Sequence, residues 1–407
     1  MPTPTPIDLP DGHVPTPPEV APRLLSPRFA ALLCAQFCFG FCFSVFLLLP
    51  KFLVMEFGAT ATEVGWATAV APLSALLCVP LVGGWLDRGG RRGLIIGGAL
   101  MMALASSAFV MVDRVGPLLF GLRVLQGASF TLAFNAAAML TVDLAPGARL
   151  GQALGILGVS NLVTNAIAPA VVEPLARAHG WIPVFWLASG CALLAVLLAF
   201  LLPDPRSRLP ARPAAHIGRR GWALVYVSAM MGAAFGTVIT FVQPMALAMG
   251  VQEIGGLFIG YTVAAVLVRV VLGSVADRFG RQRVAILALA LYTLVVAAAA
   301  GLRPSFIVAL GAGLGFAHGL SYPALSALAV EGALPEQRGR TITYFNGGFN
   351  GGFAACSFAF GAVASVAGYP TVFLLAASLC ATGVLLVVRL PSGAGVPSSD
   401  RELRSPG

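Results

Sequence analysis

Gly83-Gly-Trp-Leu-Asp87-Arg88-Gly-Gly90-Arg91-Arg92 and Gly273-Ser-Val-Ala-Asp277-Arg278-Phe-Gly280-Arg281-Gln-Arg283 are two copies of one pattern, 190 residues apart. Each copy follows one long apolar block and precedes another. A glycine-rich charged segment in that position reads as a tight loop between helices. A weaker pair stands at a similar offset: Asp143 with Arg149, and Glu331 with Arg338 and Arg340. The chain is therefore written twice, and internal repetition of this kind defines the architecture before any single element does.

Working outward, the apolar blocks are too many and too long for a soluble core. Hydrophobic types make up 58% of the 407 residues and charged types 10%, against about 45–50% and about 25% in soluble domains. Blocks of roughly 20 residues span a bilayer core as helices, and lipid admits only helices or closed barrels. Barrel strands are about 10 residues long and alternate in polarity, which these blocks do not. The expected class is an all-α integral membrane protein with twelve transmembrane helices in two six-helix halves. The helices are expected at 29–50, 63–86, 94–112, 117–142, 150–175, 181–202, 221–249, 255–276, 283–302, 305–331, 341–368 and 370–389. This divides the chain into an N-terminal tail 1–28, a first half 29–202, a Pro- and Arg-rich linker 203–220, a second half 221–389 and a C-terminal tail 390–407.

The net charge of +9 follows this layout. On alternate sides of the expected spans, 19 Lys and Arg face 4, with Arg123 and Arg269 inside helices. The positive-inside rule assigns the rich side, with both tails, to the cytoplasm. The charge therefore reports topology rather than nucleic-acid binding. The N-terminal tail holds nine prolines and no apolar core, so it reads as disordered rather than as a signal peptide. Cys34, Cys38 and Cys42 share one face of the first helix, but the outer two are about 12 Å apart along its axis. One metal ion cannot take all three, and they read as small packing residues. No cofactor or metal is expected.

The Gly-x-x-x-Asp-Arg-x-Gly-Arg-Arg loop between helices 2 and 3, with its degenerate copy between helices 8 and 9, resembles the signature loop of the major facilitator superfamily. Arg123-x-x-Gln126-Gly127 in helix 4 is similar to that family's second motif. The resemblance covers about 29–389. It implies a non-enzymatic transporter whose small-molecule site lies between the halves near the bilayer midplane, reached alternately from either side. It also implies a cytoplasmic latch. Asp87 would meet the start of helix 11 near Thr341, and Asp277 the start of helix 5 near Leu150, each carboxylate favoured there by the helix dipole. Gly83, Arg88, Gly90, Arg91, Arg92, Asp143, Gly273, Arg278, Gly280, Arg281 and Glu331 complete that latch set. The alternative is that these loops only fix topology.

Polar residues inside apolar helices are costly and mark cavities, proton paths or inter-helix bonds. Arg123 and Gln126 share a face of helix 4, and Arg123 is either a cavity residue or a snorkelling one. Arg269 in helix 8 carries the same two readings. Glu173, near the outer end of helix 5, is either a proton carrier or a wetted surface acid. His318, with Tyr322 one turn on, is either a proton switch or a structural histidine. Asn161 with Asn165 and Asn346 with Asn350 share helix faces, and Gln36, Asn135 and Gln243 lie singly. Each is a cavity candidate or structural glue.

The first functional expectation is proton-coupled efflux of small amphiphilic compounds by a monomer in the bacterial inner membrane. The bacterial source is read from the 24 to 1 excess of Arg over Lys and the abundance of Ala and Gly. Uptake of a small metabolite or organic anion is the alternative. Exporters of the family often carry Gly-x-x-x-Gly-Pro-x-x-Gly-Gly in helix 5, whereas Asn165-Ala-Ile-Ala168-Pro169-Ala-Val-Val keeps the proline and a small neighbour but lacks the glycines. A non-transporting membrane sensor is the reading of another class. The topology is tested by single cysteines, Pro10→Cys and Asp400→Cys. An impermeant maleimide is expected to label both in inverted vesicles and neither in intact cells, and labelling in intact cells overturns the orientation.

Overall fold

The computed structural model describes residues 26–88, 90–146, 149–204, 218–272, 278–331 and 337–391, with side chains undescribed at 81–88. All of its regular structure is helical. In chain order the long helices are α1 Pro27–Phe57, α2 Ala61–Arg88, α3 Arg91–Met111, α4 Pro117–Leu144, α5 Leu150–His179, α6 Trp181–Ala199, α7 Arg219–Ala248, α8 Gly255–Val271, α9 Arg281–Gly301, α10 Pro304–Glu331, α11 Arg338–Ala367 and α12 Tyr369–Arg389. Eleven of these are long and apolar enough to cross a membrane, and α8 is described over 17 residues. The rest of the eighth expected span lies outside the described residues.

The expected spans map one to one onto these helices. The largest difference is α1, expected to stop at residue 50. It tightens into a 3₁₀ turn at Phe46–Leu48 and continues over Leu49–Phe57. Pro50 does not end it, because at the start of the second segment the missing N–H costs nothing. The end comes at Gly58, whose left-handed φ of 59° closes the cap on Leu53 and Val54. The sixth span ends at Ala199, earlier than the expected 202.

The repeat seen in the loops recurs in the packing. In the first half α1 packs on α5 and α6, α3 on α4 and α6, and α2 on α4. In the second half α7 packs on α11 and α12, α9 on α10 and α12, and α8 on α10. The connectors match as well: Gly180 joins α5 to α6 and Gly368 joins α11 to α12, with φ of 76° and 80°. A side chain there would be strained. Two seams hold the halves together, α2 against α11 and α5 against α8, and the repeat exchanges these two pairs.

Twelve crossings put the two described chain ends on one face of the bundle, the tail face; the opposite face is the far face. Leu77, Leu104, Leu197, Leu287 and Val366 point outward from the helices with more than half of their surface exposed. So large an apolar perimeter is buried by lipid tails rather than by protein.

Contacts between helices rest on small residues, as lipid-embedded bundles require. On the α7–α11 seam a Cβ on Gly352 would run into the carbonyl of Ala229, and on the α8–α10 seam one on Gly315 would run into that of Tyr261. Backbone cannot yield as a flexible side chain does. Gly352→Val is expected to destabilise the fold by about 3 kcal/mol, at the upper end of overpacking costs, and to lower the melting temperature in detergent. Gly155→Ala, where a Cβ meets nothing within 4 Å, is expected to be neutral or stabilising. Equal melting temperatures for Gly352→Val and the wild type would refute the packing argument.

Candidate functional site

Three polar regions lie along the interior of the bundle: one in each half, and one joining the halves at the far face.

In the first half, α1 and α5 are laced by side chains. Gln36 donates to Asn161 at 3.1 Å, and Ser44 bonds Thr164 at 3.1 Å and Asn165 at 2.8 Å. Asn161 also donates to the carbonyl of Leu157 on its own helix. Asn135 is likewise returned to its own helix, at the carbonyl of Thr131. On α4, Arg123 is buried and turned inward: it donates to the carbonyl of Ala67 on α2 at 3.2 Å and to Gln126 Oε1 at 2.6 Å. The guanidinium thus does not snorkel. Gln126 Nε2 is buried and ends without a partner.

In the second half the interior is aromatic. His318 on α10 lies among the rings of Phe235, Tyr261, Tyr292, Tyr322 and Phe349, with centroids 5.1–6.0 Å away. These rings come from α7, α8, α9, α10 and α11. Tyr322 donates to Asn346 Oδ1 at 2.5 Å, joining α10 to α11, and Asn350 is half-buried one turn further along α11. Arg269 on α8 reaches the α5 seam, where its Nη1 lies 3.5 Å from the point a Cβ on Gly158 would occupy.

At the far face Glu173 and Lys51, both buried, form an ion pair. Lys51 also donates to the carbonyl of Gln252 across the halves. Glu173 accepts from the backbone N–H groups of Ile254 and Gly255, each at 2.7 Å. These amides open α8, so a carboxylate of the first half caps a helix of the second, where the helix dipole favours it. Gly255 is required there, because a Cβ would sit 2.9 Å from Glu173 Oε2. Nearby, Gln243 donates to the carbonyl of Leu47 at 2.7 Å and Arg177 pairs with Glu253 at 2.8 Å. At the other seam Thr62 bonds Ser365 at 2.8 Å and Trp66 stacks on Phe358. Glu173 and Gln243, expected among the cavity residues, therefore stand at the junction of the halves.

The tail face carries the loop motifs. Arg91 pairs with Asp143, bracing α3 against α4. The backbone N–H of Arg92 donates to Asp204 at 3.3 Å, and its guanidinium to the carbonyl of Leu202 at 3.5 Å. In the second copy Gln282 takes the place of Arg92 and donates to the carbonyls of Val387 and Leu390, both at 2.9 Å. The substitution keeps the task, tying the start of α3 or α9 to the end of α6 or α12. Gly90 lies against the Asp204 carboxylate, and Gly280 has a φ of 91°. Arg278 is exposed, and Glu331 borders a cleft of about 400 Å³ with Arg281 and Arg338. The Asp87 latch cannot be placed from these contacts: the side chains of Gly83, Asp87 and Arg88, and all of Gly273 and Asp277, lie outside the described residues.

Sequence reasoning passed over Lys51, Gln252, Asp204 and Phe235. Lys51 carried a signal, being the sole lysine in the chain and set within an apolar run. The others are ordinary residues whose roles arise from tertiary contact.

The family model for the Major Facilitator Superfamily matches residues 32–251 and 222–406. An uncharacterized MFS-type transporter, YhhS, of Salmonella enteritidis is 26% identical over 357 residues, 84% of this chain and 87% of that protein. Multidrug resistance protein MdtG of Enterobacter lignolyticus is 26% identical over 298 residues, 69% of this chain and 71% of that protein. Among solved structures, the nucleoside transporter NupG superposes with a TM-score of 0.77 at 14% identity, covering 88% of this chain and 98% of that one. At that identity the likeness speaks for the fold.

The far-face junction yields a direct test. Removing one partner of a buried ion pair costs roughly 3–5 kcal/mol, and here the cost falls on the conformer in which the halves touch. Lys51→Ala and Glu173→Ala are each expected to populate a longer distance between spin labels at positions 178 and 249, read by double electron–electron resonance. Distributions identical to wild type in both variants would show that the pair does not hold this face shut.

Proposed function

Since the chain belongs to the Major Facilitator Superfamily, we propose that it is a secondary transporter which exports small amphiphilic compounds in exchange for protons, by rocking its two six-helix halves about the seams between them. The observation that carries this reading is the closure of one face by bonds that cross from half to half. Lys51, Glu173 and the first amides of α8 form a contact that a rigid-body rotation would break as a unit. Alternating access needs such a contact, favourable in one conformer and absent in the other.

The arginine excess supports placing the tail face in the cytoplasm. The far face is then periplasmic, the conformer is closed to the outside, and the protein resides in the inner membrane. The halves 29–202 and 221–389 move as bodies and 203–220 links them. Motion toward the outward-open form brings Asp87 over the start of α11, where its charge holds the cytoplasmic face shut as Glu173 holds the other.

The direction of transport follows the relatives that carry a multidrug resistance name, and the aromatic wall of the second half supports an amphiphilic cargo. Glu173 is committed to the junction, which leaves His318 as the titratable group within the aromatic interior to carry the coupled proton. It faces Tyr261 and Arg269 from α8, Tyr292 from α9 and Tyr322 from its own helix.

The test is flux in proteoliposomes with anilinonaphthalenesulfonate as cargo, with and without an imposed pH gradient. Accumulation that collapses when the gradient is discharged is expected for the wild type. Arg123→Ala, which leaves Gln126 and the Ala67 carbonyl without their shared donor, is expected to reach the membrane and lose coupled flux at least tenfold. Gradient-independent flux in the wild type would overturn proton coupling, and full coupled flux in Arg123→Ala would reduce that arginine to a packing role.

A further inference from the structure

Buried polar atoms without a partner are rare in a well-packed bundle, and each calls for an explanation. Three of those among the described residues fall in one region of the second half: Nε of Arg269, Nδ1 of His318 and the hydroxyl of Tyr292. His318 and Tyr292 are 7% and 0% exposed, so bulk water does not serve them. Arg269 has no carboxylate or hydrogen-bond acceptor among the described residues, although it lies inside an apolar helix and within electrostatic reach of Tyr261, His318 and Tyr322. The contrast with Arg123 is informative. That arginine, buried where Arg269 is half-buried, has both an amide oxygen and a carbonyl. A guanidinium at membrane depth is costly unless it is paired or wetted, and a structure that satisfies one and leaves the other open has kept the second for something else.

The surroundings say what. Phe235, Tyr322 and Phe349 are only half-buried, and they face His318 from three helices. Half-buried rings arrayed around a buried polar group offer flat faces and edges to another ring. The guanidinium presents a planar fork of donors that matches a carboxylate, sulfonate or phosphonate. His318 ties the two together, in ring contact with all three aromatics and within electrostatic reach of Arg269, so one small molecule can touch both.

We infer that this face of the second half binds an aromatic organic anion, its ring set among Phe235, Tyr322 and Phe349 and its acidic group on Arg269. The assignment rests on the transport reading above and deepens it: the amphiphile that is moved is one whose polar end is an acid. The unpartnered nitrogen of His318 supplies a further hydrogen bond to the ligand. The first half also leaves the Gln126 amide nitrogen unpartnered, but the open guanidinium and the ring cluster both stand in the second half. The ligand is therefore gripped mainly by the second half.

The test is binding to the full chain in lipid nanodiscs, followed by calorimetry, with 2-naphthoate against its neutral isostere 2-naphthamide. Naphthoate is expected to bind at least tenfold more tightly than the amide. Arg269→Gln is expected to remove that preference by weakening naphthoate and leaving the amide unchanged, while Arg269→Lys retains part of it. Phe349→Ala is expected to weaken both ligands. Equal affinity for the two ligands in the wild type, no binding of either, or a preference that survives Arg269→Gln would each overturn the assignment. The wild-type comparison needs no variant, so a misfolded Arg269→Gln does not rescue the idea. Anilinonaphthalenesulfonate flux separates this outcome from the transport reading. Flux without carboxylate preference leaves the transporter and removes the site, and preference without flux leaves the site and removes the transporter.

Discussion

A backbone amide in the interior of a bilayer has no water to turn to, and leaving it unpaired costs several kcal/mol. That constraint sets the rest of this structure. It forces every crossing to be a helix. It turns each proline within α2, α5, α7 and α10 into a local adjustment supported by neighbouring helices rather than a break. It also makes helix ends the one place where backbone donors stay available. The bond from Glu173 to the first amides of α8 uses that availability. A half that must separate from its partner cannot be joined by interior backbone bonds, which the helices already consume. It is joined at a helix end, by a side chain.

The two seams are related by the repeat but differ in chemistry. Where α5 meets α8 the far end is charged, with Glu173, Lys51 and the Arg177–Glu253 pair. Where α2 meets α11 the corresponding end holds hydroxyls, Thr62 with Ser365, and close backbone approach at Gly65 and Gly361. A buried ion pair is sensitive to separation and to water entry, since its two charges each carry a large desolvation cost. Small-residue contacts lose only dispersion and one exposed hydrogen bond. On the alternating-access proposal, the charged seam is therefore the one whose rupture would distinguish the conformers energetically, and the small-residue seam would let the halves slide with little change. Symmetry of fold does not bring symmetry of control.

Much of this was legible in the sequence, for physical reasons. Long uncharged blocks have one stable solution in lipid, so all twelve helices could be placed, and the loop repeat located the pseudo-symmetry through Gly90 and Gly280. Arg123 with Gln126 was legible because residues three apart on a helix must meet. Glu173 was recognised as unusual but not as a junction residue, because its partners Lys51, Ile254 and Gly255 lie as much as 122 residues away in the chain. The α1 continuation was missed because Pro50 reads as a terminator unless the 3₁₀ turn before it is known. The aromatic interior was half legible: His318 and Tyr322 share a helix, whereas Phe235 and Phe349 joined them only once α7 and α11 were packed.

One helix links the junction to the aromatic interior. Glu173 holds the first amides of α8, and Arg269 lies fourteen residues beyond Gly255, about 21 Å at helical rise. Between them Thr262 donates to the carbonyl of Leu162 at 3.1 Å, so the same two helices touch at mid-height. A helix of this length without internal proline behaves as a rod. In the proposed rocking motion, a rotation that pulls its first turn from Glu173 would pivot about that middle contact and shift the Arg269 end along Gly158. A side chain at 158 would obstruct that approach, and the position is held by glycine. On the proposed reading, occupancy beside Arg269 would bear on whether Glu173 keeps its hold, with no longer path of contacts required than the length of α8.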